Sequence, residues 1–137
     1  MHDSPVHHLS TEQCWRLLDF TKLGRLATAA LGIVGIRPVN YIVDNETIVF
    51  RTAPGAKLLE LAVSSPVAFE IDSYGPESAW SVVATGRAMI VTDTYEIARI
   101  ERLPLIPWIA TEKNIFVRIV VDGLTGRSFD LAPPSTV

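Results

Sequence analysis

The chain of 137 residues is 48% hydrophobic and 20% charged, as in one globular domain, and its formal charge of -3 with a pI near 5.5 argues against a nucleic-acid partner. No apolar run approaches the ~18 residues that span a bilayer. The N-terminus has no basic segment followed by an apolar one, so the expected compartment is the cytoplasm, and a lone cysteine, Cys14, excludes an internal disulfide and a cysteine-based zinc site.

His2, His7 and His8 stand in a polar lead-in, residues 1–9, that is expected to be loose, and no histidine follows. A histidine-based catalytic device inside the fold is therefore excluded unless the lead-in folds back, and a His7-His8 metal pair is the alternative role for that segment. Ser10 with Gln13 makes a capping box, with Leu9 and Cys14 as its hydrophobic staple, opening a helix that stops near Thr21 and buries Cys14, Leu17 and Leu18. Residues 24–30 read as a strand, Leu31-Gly32 as a turn, and 33–43 as a longer strand interrupted by Gly35 and Pro38. Proline donates no ladder hydrogen bond, so Pro38 marks an edge or a bulge. Asp44-Asn45 turns this strand back into a hairpin with Thr47–Thr52.

The segment from Arg51 to Lys57 then runs strand, tight loop, helix, through Ala53-Pro54-Gly55. A helix start offers unpaired N–H groups and a partial positive charge, so a phosphate there gains hydrogen bonds and a favourable field. Lys57 in the first turn opposes that field unless an anion lies between them, and Arg51 and Thr52 add a guanidinium and a hydroxyl at the same place. The segment reads as an anion site, with an ordinary solvated loop as the alternative. Leu58, Leu61 and Ala62 carry the helix. Val67, Phe69 and Ile71 alternate with Ala68, Glu70 and Asp72 in a half-buried strand, residues 73–77 turn, and 78–91 form a long strand with a bulge or close approach at Gly86. Asp93 and Glu96 make a second capping box for a helix that ends before Pro104. An apolar loop at 105–108 leads to a strand at 115–124 that Asp122-Gly123 bends, and 130–137 read as a frayed tail.

Six mostly alternating strands and three short helices give a mainly β fold, an antiparallel sheet closed into a small barrel over residues 10–129. No GxGxxG follows a strand and no P-loop spacing occurs, so the usual dinucleotide and triphosphate cradles are absent. The segments LGRLATA at 23–29, RPVNY at 37–41, VFRTAPGAKLLEL at 49–61, PVAFEID at 66–72 and WSVVATGRA at 80–88 resemble, in order and spacing, the FMN-binding split-barrel proteins related to pyridoxamine 5'-phosphate oxidase. The resemblance implies a six-stranded antiparallel split barrel and a homodimer with its cofactor at the subunit interface. It implies that Arg51, Thr52 and Lys57 hold the flavin phosphate, and that Pro38, Val39 and Asn40 border the isoalloxazine ring with Arg37 beside it. Trp80 and Ser81 would come from the neighbouring subunit. FMN is the implied cofactor, with a deazaflavin coenzyme or haem as alternatives among related proteins.

Leu58 stands where the oxidase has a second basic residue, and the C-terminal SFDLAPPSTV lacks the oxidase's substrate segment, so pyridoxamine phosphate oxidation is not expected. No residue presents itself as catalytic acid or base. Glu70 and Asp72 read as a solvated face, Tyr41 as a proton donor or barrel filler, and Trp80 and Trp108 as core or interface anchors. A flavin enzyme tolerates this, because the cofactor carries the hydride chemistry. The expected function is hydride transfer between FMN or a deazaflavin and an unidentified small acceptor. Alternatives are a non-catalytic flavin or haem binding and storage protein, or a dimeric module that has lost its ligand.

Overall fold

The structure, a computed structural model, describes residues 5–104 and 115–131. Trp108, the apolar loop at 105–108 and most of the C-terminal tail lie outside them. The elements are β1 (Val6–His8), α1 (Thr11–Phe20), β2 (Leu23–Ala30), β3 (Ile33–Asn40), β4 (Ile42–Val43), β5 (Thr47–Thr52), α2 (Lys57–Ser64), β6 (Val67–Tyr74), β7 (Ser78–Ile90), α3 (Thr94–Glu101) and β8 (Ile115–Asp130). The strands form one antiparallel sheet of eight, in the order β3-β2-β6-β7-β8-β5-β4, with β1 on β8. Among the described residues the architecture is the expected antiparallel sheet, curled, with three short helices, but with more strands than the six read from the sequence.

The two extra strands have identifiable causes. The expected strand 33–43 is split at Tyr41. Its first part pairs with β2 along its whole length, whereas Ile42 and Val43 pair with Val49 and Ile48, so only the last two residues make the expected hairpin with β5. The ends of the sheet, β3 and β4, are therefore separated by one residue, and the sheet curls until they meet there. Pro38 lies on the edge strand, as its missing donor requires. The other extra strand is β1. The lead-in is not loose throughout: Val6, His7 and His8 pair with Phe129, Ser128 and Arg127, and His7 Nε2 lies 2.9 Å from Asp130 Oδ2. A strand sends neighbouring side chains to opposite faces, so His7 and His8 do not converge on a metal. Asp130 belongs to β8, which runs past the expected end at Leu124 because β7 and β1 supply its ladder partners.

The barrel interior is filled by alternate residues. Leu26, Ile48, Phe50, Phe69, Ile71 and Ile119 are among the fully enclosed side chains, with Cys14 and Leu18 of α1 and Leu59 and Ala62 of α2 packed onto them. Leu59, more than Leu58, anchors α2. Burial pushes the Cys14 thiol pKa up and keeps it a small apolar filler. The Ser10–Gln13 capping box is complete. The second box is half made: Asp93 accepts from the Glu96 N–H, but the Glu96 carboxylate accepts from Arg99 and Arg118. Gly86 marks the bulge, with Thr85 opposite Gly123 and Gly86 opposite Val121, which leaves Asp122 as the extra residue of β8. A Cβ at Gly86 would lie 2.0 Å from the Val120 carbonyl oxygen, so this is the close backbone approach that requires glycine.

Candidate functional site

Arg51 and Thr52 end β5, residues 53–56 form the turn, and Lys57 opens α2. The helix has Ala56 as its N-cap with no side-chain cap hydrogen bond; Leu59 N–H donates to the Ala56 carbonyl at 3.1 Å, and among the described residues no capping side chain meets the N–H groups of Lys57 and Leu58. An anion is the kind of group that would. Lys57, however, is less anomalous than the sequence suggested: its Nζ lies 3.4 Å from Glu60 Oε2 within the same first turn, so the field there is partly answered locally. Both side chains are about half exposed, and a surface pair of this kind contributes roughly 0–1 kcal/mol, which leaves Lys57 available to a stronger anion.

Arg37–Asn40 reach the same place from the other side of a seam. Ile42 pairs with Val49 just past Tyr41, and β3 approaches β5. Along their whole lengths β3 pairs with β2 and β5 with β8. Arg37–Asn40 close β3, and Arg51 and Thr52 close β5 ahead of α2, with neighbours in each strand facing opposite sides.

Tyr41 fixes the seam. Its backbone N–H donates to the Lys22 carbonyl at 3.2 Å, its hydroxyl donates to the Leu18 carbonyl at 2.6 Å, and the side chain is 2% exposed. The Asn40 amide donates to the same Lys22 carbonyl at 3.2 Å. Burial holds the Tyr41 hydroxyl pKa well above the ordinary phenol range, and with its O–H committed to the Leu18 carbonyl, Tyr41 takes the second of the two roles read from sequence and fills the barrel. Tyr41→Phe leaves a buried carbonyl without its partner and is expected to cost about 1–3 kcal/mol in urea unfolding.

Trp80 and Ser81 do not join this group within one chain. They lie on β7, three strands from β3, roughly 14 Å across the sheet at the usual strand spacing. Trp80 packs partly buried against the core, and Ser81 faces outward beside Asp72 and Arg127.

Two charge clusters escaped the sequence reading. On the outer face, Arg25 Nη1 lies 2.8 Å from Glu70 and 3.1 Å from Asp72, so these carboxylates are more than a solvated face. Burial and the neighbouring Asp72 raise the Glu70 pKa. Behind β5, Asp44 takes hydrogen bonds from Arg99 and Arg118, and both guanidiniums also reach Glu96. The paired phase of Glu70 and Asp72 on one strand was the available signal for the first cluster. Nothing in the sequence placed Arg118 beside Asp44.

Among the described residues no helix is long and apolar enough to cross a membrane. The pyridoxamine 5'-phosphate oxidase family model matches residues 10–128. A Corynebacterium glutamicum structure provisionally assigned as a pyridoxamine 5'-phosphate oxidase is 40% identical, covering 98% of this chain and 100% of its own, with a TM-score of 0.89. The FAD binding protein from Mycobacterium smegmatis is also 40% identical, over 92% of this chain and 100% of its own, with a TM-score of 0.84. An uncharacterized protein of Mycobacterium tuberculosis, Rv0080, is 34% identical over 128 residues, 88% of this chain and 84% of that protein. Family match and fold agree, and the chain belongs to the pyridoxamine 5'-phosphate oxidase family.

Proposed function

We propose that this protein is a flavin-dependent oxidoreductase that binds its cofactor at the seam between β3 and β5 and passes a hydride between the flavin and a small acceptor. The observation that supports this reading is that β3, which ends in Arg37–Asn40, approaches β5, whose last residues Arg51 and Thr52 lead into an α2 start without a side-chain cap. Thr52, Lys57 and the first-turn N–H groups hold the phosphate, and Arg51 adds a guanidinium to it. Pro38, Val39 and Asn40 border the ring, where Pro38 takes up no donor and the β3 edge is free to meet ring carbonyls and N–H groups. Arg37 stands beside the ring, and its charge stabilises negative charge on the reduced form. A flavin supplies hydride transfer, and this chain supplies position and electrostatics. That the 40% identical Mycobacterium smegmatis relative binds FAD supports a flavin here. FMN, the cofactor implied by the sequence resemblance, and FAD share the phosphate this site addresses; a deazaflavin coenzyme is the third candidate.

The protein works as a homodimer, with Trp80 and Ser81 supplied across the subunit interface. Exposed apolar side chains on β3, Val34 at 85% and Ile36 at 66%, support a covered face. Sedimentation at micromolar concentration is expected to give a dimer.

The test is titration of the apo-protein with FMN, FAD, riboflavin and a deazaflavin, followed by flavin fluorescence, with reoxidation by a test acceptor as the measure of turnover. Lys57→Ala removes a charge-assisted hydrogen bond of about 1.5–3 kcal/mol, so FMN and FAD should bind roughly tenfold to hundredfold more weakly. Riboflavin, without a phosphate, should bind as before, and apo stability should change by less than about 1 kcal/mol. Equal losses for FMN and riboflavin would remove the phosphate role from Lys57. Tight flavin binding without reoxidation would make this a flavin carrier, and absence of flavin binding would end the reading.

A further inference from the structure

Cross-strand register arranges the outer face in rows. Asn40 pairs with Leu23 on β2; on the other side of the sheet, Asp72, Ser81, Arg127 and His8 are successive partners on β6, β7, β8 and β1. The neighbouring row is Pro38, Arg25, Glu70, Val83 and Thr125. Directly opposed residues share a face, so Arg127 stands beside Ser81 and points away from the core. It is exposed and has no ion-pair partner among the described residues. Its neighbour on β1 is His8, so no carboxylate answers it on that side. Asp130, three positions on, is paired with His7.

We infer that Arg127 is a phosphate-binding residue supplied in trans, reaching the cofactor seam of a second copy of the chain. The inference rests on the dimeric flavin-binding reading above and adds a residue to that site. Consider a two-fold axis along the strands, between β2 and β6. It places Arg25 of each chain over the partner's Glu70, opposite charges in both directions. It sets Ala27 over the partner's Ala68, where small side chains let the sheets approach, and the exposed Pro38 and Ile36 of β3 over the partner's Val83 and Thr85. An axis along β6 would instead stack Glu70 and Asp72 on their own copies, and one along β8 would stack Arg127 on itself. With the axis between β2 and β6, the partner's Ser81 comes over Asn40. The partner's Arg127, one strand further out, then lies about 5 Å beyond the β3 edge, over the opening of the seam. There it meets the phosphate group that Thr52 and Lys57 hold from below.

Arg127→Gln should weaken FMN and FAD binding about tenfold and leave riboflavin binding unchanged. Mixed chains test the trans geometry. When Arg127→Gln and Lys57→Ala proteins are unfolded together and refolded, each heterodimer contains one site with both native residues if Arg127 acts across the interface, and none if it acts within its own chain. About a quarter of all sites should then bind FMN with native affinity, by random pairing. No high-affinity fraction overturns the inference, as does Arg127→Gln protein that binds FMN like the native chain or loses riboflavin equally. Native protein that binds FMN as a monomer overturns the trans arrangement and leaves the flavin reading standing. Native protein that binds no flavin overturns both. Val83→Arg, a change remote from the seam within its own chain, should turn the dimer into a monomer and lower FMN affinity with it; a variant that stays dimeric overturns the proposed face.

Discussion

Asp44→Ala is expected to lower stability by about 3 kcal/mol at neutral pH, the lower end of the range for removing one partner of a buried ion pair. Asp44 is 7% exposed and sits in the β4–β5 turn, where Asn45 and Glu46 have φ of 47° and 57°. Its carboxylate accepts from Arg99 at 2.9 and 2.6 Å and from Arg118 at 2.9 Å, so it ties α3 and β8 to that turn. Without it, Arg118, only 16% exposed, keeps Glu96 and the Thr47 hydroxyl but loses its nearest buried counter-charge. The retained contacts are why the lower end of the range applies. Thermal or urea unfolding of both proteins at pH 7 measures the difference.

The same site sets an acid limit. Hydrogen bonds from Arg99 and then Arg118 hold the Asp44 carboxyl at a pKa of about 2, below the ordinary 3.8, against the opposing effect of burial. A group whose pKa is lower in the folded state stabilises the fold above its unfolded pKa and loses that contribution as pH falls. About 2 kcal/mol should therefore disappear between roughly pH 4 and pH 2, and the gap between native protein and Asp44→Ala should narrow over that window. A gap that is constant from pH 7 to pH 2 would mean that Asp44 acts through turn geometry and not through its charge.

How legible the molecule was in its sequence follows the range of each interaction. The Ser10–Gln13 cap, the turn at Leu31-Gly32, the alternation of β6 and the strand-loop-helix at Arg51–Lys57 are made by residues close in the chain, and each reads directly. The split at Tyr41 does not, because residues 33–43 are one extended run that changes partner from β2 to β5 partway along, and only the assembled sheet shows the exchange. β1 and the end of β8 are polar and irregular, VHH and GRSFD, and become strands because each supplies the other's ladder, with β7 on the far side. Arg118 and Asp44 are 74 positions apart. For the candidate site, the expectation of a phosphate at Arg51–Lys57 rests on local chemistry, whereas joining it to Arg37–Asn40 rests on resemblance, since that depends on how the curled sheet closes.

Phe69→Ala should produce the largest loss, about 3–5 kcal/mol, because it empties the centre of the barrel beneath the seam. Phe69 is fully buried and meets Tyr41 edge to face, with ring centroids 4.8 Å apart and planes at 75°. It also lies under Gly24, where an added Cβ would come within 2.2 Å of Phe69 Cζ. Glycine at 24 is thus the space that the Phe69 ring occupies. Gly24→Ala alone should overpack the site and cost about 1–3 kcal/mol, whereas in the Phe69→Ala background the new methyl enters a cavity. The double variant should accordingly be more stable than the sum of the two single losses by at least about 1 kcal/mol. Additive losses would show that the Phe69 cavity collapses from elsewhere. Because the Tyr41 ring rests on Phe69 and its backbone fixes the turn of β3 into β4, flavin affinity should fall in Phe69→Ala even where the protein remains fully folded. Restored packing in the double variant should recover part of that affinity. Recovery of stability without recovery of binding would separate the barrel core from the seam it supports.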